Sequence, residues 1–117
     1  MTAIERSDSN QRMSRVVKFN GMLMLSGVTA SNRQGDIREQ TREVLEKIEN
    51  YLTTNGTSKD RLLTAQIWLK DIKRDFAGMN EVWDTWNPAG QTPTRATGQS
   101  LLAHEDLLVE IIATAAL

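Results

Sequence analysis

The sequence predicts an α+β fold, a mixed β-sheet with two helices packed on one of its faces. Three observations carry that prediction. Residues 61–70 alternate with period two, as a strand with one buried face does. Residues 36–54 and 72–86 instead place their apolar side chains on one side at helical spacing. Asn20-Gly21, set between two apolar runs, is a strong signal for a tight hairpin. A hairpin, a helix, a strand, a second helix and two closing strands suit a sheet covered by helices on one side.

In chain order, residues 1–14 read as a polar N-terminal arm, with Glu5, Arg6, Asp8 and Arg12. Residues 16–19 form a short strand, the Asn20-Gly21 turn follows, and residues 22–26 form a second strand. Residues 28–35 read as a loop rich in Ser, Asn, Gln and Gly. In the first helix Ile37, Val44, Leu45, Ile48, Tyr51 and Leu52 share one face. Asp36 is its expected N-cap and Asn55-Gly56 its stop. In the strand at 61–70, Leu63, Ala65, Ile67 and Leu69 point one way, and Thr64, Gln66, Trp68 and Lys70 the other. The second helix lines up Ile72, Phe76, Met79, Trp83 and Trp86, with Val82 beside them. Asn87-Pro88-Ala89-Gly90 breaks it and Pro93 is a second breaker. Residues 94–102 then read as a strand of small and polar residues, and 106–116 as a long final strand.

The runs at 22–25 and 107–112 are apolar on both faces. Two helices cover only one face of such a sheet. Self-association through the open face is the economical answer. The alternative is loop 28–35 lying across that face; its polarity and shortness weigh against it.

A chain of 117 residues is expected to be one domain, residues 1–117. It has no cysteine, which excludes disulfides, thiolate metal sites and cysteine nucleophiles and fits a reducing compartment. One histidine, His104, excludes a histidine-rich metal site. The net charge is -1 with both signs interspersed, so no footprint for nucleic acid is visible. There is no apolar leader and no long apolar run, so neither a secretory signal nor a membrane span is expected. The expected compartment is the cytoplasm.

Two charges sit where charge is costly. Glu110 lies inside Leu107-Leu-Val-Glu-Ile-Ile, with Leu108 and Ile112 as its same-face neighbours. A carboxylate there must be paired, protonated or wet. Arg95 opens its strand just after Pro93, among Thr92, Thr94, Thr97 and Ser100. A guanidinium at a sheet edge suits a bidentate grip on a carboxylate. At this level two readings stand for the pair: a functional site, or Arg95 and Glu110 bonded to each other across neighbouring strands. Asn80 is a candidate support or a mere loop bridge, and Ser26-Gly27 a candidate lining or a mere strand end. His104 reads as a surface loop residue, and Trp68, Trp83 and Trp86 as packing. No nucleophile elbow, phosphate-binding glycine loop or helical metal-ligand pair is present.

Leu25-Ser26-Gly27, Phe76-Ala-Gly-Met-Asn80, Pro93-Thr-Arg95 and Val109-Glu110-Ile111, in that order on those elements, resemble the RidA/YjgF family of enamine/imine deaminases. The resemblance runs from about Val16 to Leu117. The short loop between Trp86 and Pro93 and the ending Ile-Ala-Thr-Ala-Ala look most like its YoaB-type branch. It implies a chorismate-mutase-like fold of the bacillus type and a homotrimer with clefts between subunits. It also implies that Arg95 holds a substrate carboxylate and Glu110 positions water. Ser26, Gly27, Asn80 and Thr97 would line the cleft. The chain departs from RidA proper in lacking a tyrosine near Met13 and Ser14, and in carrying Ala96 and Thr97 where that group has serine and cysteine.

The resulting expectation is an enzyme that hydrolyses 2-imino or enamine acids, such as 2-aminoacrylate or 2-iminopropanoate, to 2-keto acids and ammonia. Neither metal nor organic cofactor is required. Two other readings are a non-catalytic trimer that binds small carboxylates or keto acids, or acts as a chaperone-like surface, and an endoribonuclease. The lack of a histidine pair and of a basic groove argues against the last.

Overall fold

The structure, a computed structural model, describes residues 3–117. Its strands are β1 (Glu5–Ser9), β2 (Ser14–Phe19), β3 (Met22–Leu25), β4 (Val28–Thr29), β5 (Leu62–Leu69), β6 (Thr94–Gln99) and β7 (Val109–Ala116). The helices are α1 (Ile37–Thr54) and α2 (Ile72–Trp86). The sheet runs β1-β2-β3-β7-β5-β6, with β4 also paired to β7. Only β5 and β6 run parallel, joined through α2; the other pairs are antiparallel. The sheet is thus mixed, as expected.

The helices pack against each other and bury one face of the sheet, where Leu23, Ile67, Leu69, Val109, Ile111 and Ala115 are almost fully excluded from water. Asp36 caps α1 in a capping box: its side chain accepts from the Glu39 N–H and the Glu39 side chain accepts from its own. Asn55 and Gly56 end the helix, the glycine at φ +82. Asn20 and Gly21 both have positive φ, 57 and 77, the mirror-image turn that matches strand twist.

The structure corrects five local expectations. The polar N-terminal stretch is not wholly an arm, because Glu5–Ser9 pairs with β2. All five residues are exposed, so no apolar alternation marks the strand. The loop at 28–35 contains Val28–Thr29 paired to β7, with Val28 and Ala30 buried. Leu63 is 41% exposed, because a register shift between Leu62 and Thr64 puts Leu62 into the core instead. On α2 Phe76 faces out and its neighbour Asp75 is buried, gripped by Arg74 through two bonds of 3.0 and 2.9 Å. The closing strands are shorter than expected, ending at Gln99 and starting at Val109.

The other face of the sheet carries Val17, Met24, Trp68 and Ile112 half-buried and Met22 exposed. No element of the described chain packs over it. No helix among the described residues is long and apolar enough to cross a membrane.

Candidate functional site

Cross-strand partners in one row leave a sheet on the same side. Arg95 is in register with Ala65, and Ala65 with Ala113. Both alanines are buried under the helices, so Arg95 leaves the sheet on the helix side. There its Nη1 donates to Asn80 Oδ1 at 2.8 Å. The guanidinium also lies over the Trp83 ring, 5.4 Å from its centre. Both partners belong to α2, so the parallel crossover from α2 to β6 brings them to Arg95. Among the described residues no carboxylate pairs with it. Thr97, two residues on, shares that face; its Oγ1 is buried without a hydrogen-bond partner. Edge strand β6 therefore presents a fixed cation and an unanswered hydroxyl.

Glu110 lies in the opposite direction. It is in register with Trp68 and Thr29, on the open face. Its surroundings come from an irregularity between β3 and β4. Met24 faces Thr114 and Val28 faces Ile111, so four steps along one strand match three along the other. The extra residue is a bulge at Ser26-Gly27. A Cβ on Gly27 would fall 2.0 Å from Glu110 Oε2, so the missing side chain is the space the carboxylate occupies. The Ser26 N–H donates to Arg15 O at 3.0 Å, which ties the bulge to β2.

The start of β7 is held by a residue the sequence did not single out. Buried Gln40 on α1 donates to Asp106 O at 2.9 Å and to Gly35 O at 3.1 Å, and accepts from the Leu108 N–H at 3.0 Å. A glutamine on the apolar side of a helix is the one available sign of such a clamp.

Arg95 and Glu110 thus do not bond across neighbouring strands. Strand β5 lies between theirs, and their side chains leave by opposite faces. The candidates form two groups: Arg95, Asn80 and Thr97 at the β6 edge, and Glu110, Ser26 and Gly27 at the bulge. A shallow groove of about 320 Å³ lies across the open face over β7, β5 and β6, lined by Thr64, Gln66, Thr94, Ala96 and Ile112, and reaches Arg95 at its rim. Three larger grooves, of about 760, 520 and 370 Å³, contain none of the candidates. His104 is exposed in the loop before β7, as expected. Among the described residues no three His, Cys, Asp or Glu converge to hold a metal ion.

This architecture has known relatives. The profile of the family described as endoribonuclease L-PSP matches residues 3–117. The chain is 42% identical over 113 residues to a RutC family protein, YoaB, of Escherichia coli, covering 97% of each chain. Among solved structures it is similar to a YjgF family member from Neisseria meningitidis, with a TM-score of 0.92, 40% identity, and 97% and 94% of the two chains covered. It is also similar to a putative translation initiation inhibitor from Salmonella typhimurium, with a TM-score of 0.90, 41% identity and 98% of both chains covered.

Proposed function

The chain belongs to the RidA/YjgF family, and from that premise we propose that it hydrolyses reactive 2-imino and enamine acids to 2-keto acids and ammonia. The working unit is a homotrimer of chorismate-mutase-like chains, with sites in the clefts between copies. The observation that carries this reading is Arg95: a guanidinium oriented by Asn80 and Trp83 with no carboxylate partner among the described residues. A planar fork so placed is suited to a substrate carboxylate.

The two groups of candidates fit a site shared between copies. Because Arg95 and Glu110 leave one chain on opposite faces, a single substrate meets both only if a second copy supplies one of them. Arg95 and the β6 edge of one copy hold the carboxylate. Glu110 and the Ser26-Gly27 bulge of its neighbour stand at the imine carbon. Glu110 takes a proton from water as the oxygen adds to that carbon and the C=N electrons pass to nitrogen. The proton passes to nitrogen to give the carbinolamine; Glu110 then carries the hydroxyl proton to that nitrogen as the C=O bond forms and the C–N bond breaks, so that a keto acid and ammonia leave. Imine hydrolysis already proceeds in water, so general acid–base help of about 10²–10⁴-fold, roughly 3–5 kcal/mol, suffices. The family description also names an endoribonuclease. A net charge of -1 and one exposed histidine make that the weaker reading.

The test is Arg95→Ala, with keto-acid binding and imine decay as readouts. Charge-assisted bonds contribute about 1.5–3 kcal/mol each, so affinity should fall at least about tenfold and turnover should vanish while assembly persists. Arg95→Lys should restore only part, because a point charge lacks the fork. Wild-type affinity in the alanine variant would place the anion site elsewhere.

A further inference from the structure

Trp68 stands beside Glu110 on the open face. The two are Cα partners in the β5–β7 ladder, which sets their side chains about 5 Å apart where they leave the backbone. On its other side Trp68 is in register with Gly98. A Cβ on Gly98 would come within 3.0 Å of the indole Cζ3, so the ring lies down over the glycine. The Glu110 carboxylate leans the other way, into the space left by Gly27. Two glycines, one at each end, thus draw the carboxylate and the ring apart. The sheet between them is left with an acid on one side and an apolar wall on the other. Ile112, half-buried on the same face, extends the apolar side. The other two tryptophans are engaged elsewhere: Trp83 lies under Arg95, and Trp86 donates to Glu49 at 3.0 Å.

We infer that Trp68 is the wall against which the substrate's side chain packs, so that the site takes 2-imino acids with sizeable apolar side chains in preference to the three-carbon imine of alanine. The inference rests on the reading above, in which Glu110 places water at the imine carbon. With the carboxylate held by Arg95 and the imine carbon at Glu110, the substituent beyond that carbon has the indole beside it. An indole offers no group for proton transfer to the imine. Its contribution is apolar area, of about 150–250 Å², which registers in binding rather than in the chemical step.

Imines generated in solution from alanine and from leucine by an amino-acid oxidase provide the test, with decay followed by semicarbazide trapping. Wild type should favour the leucine-derived imine in kcat/KM by about tenfold or more, the discrimination a few buried methylenes support. Trp68→Ala should abolish most of that preference through KM, and Trp68→Phe should restore it. An unchanged preference in Trp68→Ala, at unchanged assembly mass, would overturn the inference and leave Trp68 as packing between copies. Should the alanine variant not assemble, a fluorescence titration decides. The keto acid of leucine should bind wild type about tenfold more tightly than pyruvate and lose its quenching signal in Trp68→Phe. Equal affinities, or a signal that survives in the phenylalanine variant, would overturn it. If wild type hydrolyses neither imine, the hydrolytic reading fails by itself, and the same titration still judges the wall.

Discussion

Gly27 and the Glu110 carboxylate occupy adjoining space so closely that no side chain fits between them. Gly27→Ala is therefore a test of where the carboxylate must stand. Overpacking of this kind costs about 1–3 kcal/mol in stability, and a displaced acid loses its alignment with water, so turnover should fall about tenfold or more. Thermal melts and imine decay on the same preparation check both effects. Full activity in the alanine variant would mean that Glu110 acts from another position or does not act. The sequence singled out Arg95 and Glu110 because a charge beside a strand of small residues, or inside an apolar run, demands a reason. Their surroundings were illegible for a physical cause. The Arg95–Asn80 bond spans 15 residues and depends on how β6 lies beneath α2. Trp83 was expected to pack, and it does, but it also sits under the guanidinium. No local pattern says which strand lies between two charged residues, so their placement on opposite faces emerged only from the strand order.

The elements were legible where one face is buried and obscure where neither is. Both helices carry apolar stripes and aspartate caps, and they lie where the spacing predicts. Strand β1 has no buried face and hence no alternation to read. Its pairing follows from the backbone of β2. The segment after the bulge is legible only in part, because its anchor lies on α1. Glu43 accepts hydrogen bonds from the backbone N–H groups of Ser31 and Asn32 and pairs with Lys47 at 3.2 Å. The Ser31 N–H is the main cause that holds its carboxyl below the ordinary value of 4.5, with Asn32 and Lys47 adding to it against partial burial. A lowered native pKa means that this stabilisation is complete above about pH 4.5 and disappears as the pH falls through the native value. Glu43→Gln should thus cost about 1 kcal/mol at neutral pH, less than a buried charged bond because the pair is partly solvated. Urea midpoints of the two proteins should converge as the pH is lowered from neutral to well below about 4.5. A gap that stays constant with pH would show that the Glu43 charge does not anchor the segment.

At the scale of the whole molecule, one chain presents an open sheet face and two groups of candidate residues that point away from each other. The open face was legible in the doubly apolar runs at 22–25 and 107–112. The separation of the two groups was not, since it depends on β5 lying between β7 and β6. A shared site makes a prediction that a site within one chain does not. Arg95→Ala and Glu110→Gln should each be inactive alone. Co-expressed, and purified as mixed assemblies of about three times the 13.2 kDa chain mass, they should regain activity. Random assembly in a cyclic trimer joins an intact Arg95 to an intact neighbouring Glu110 at roughly one quarter of the clefts. Imine decay by the mixed trimers is the direct measurement. Recovery to about a quarter of the wild-type rate is the result this account predicts, and mixed trimers as inactive as their parents would contradict it.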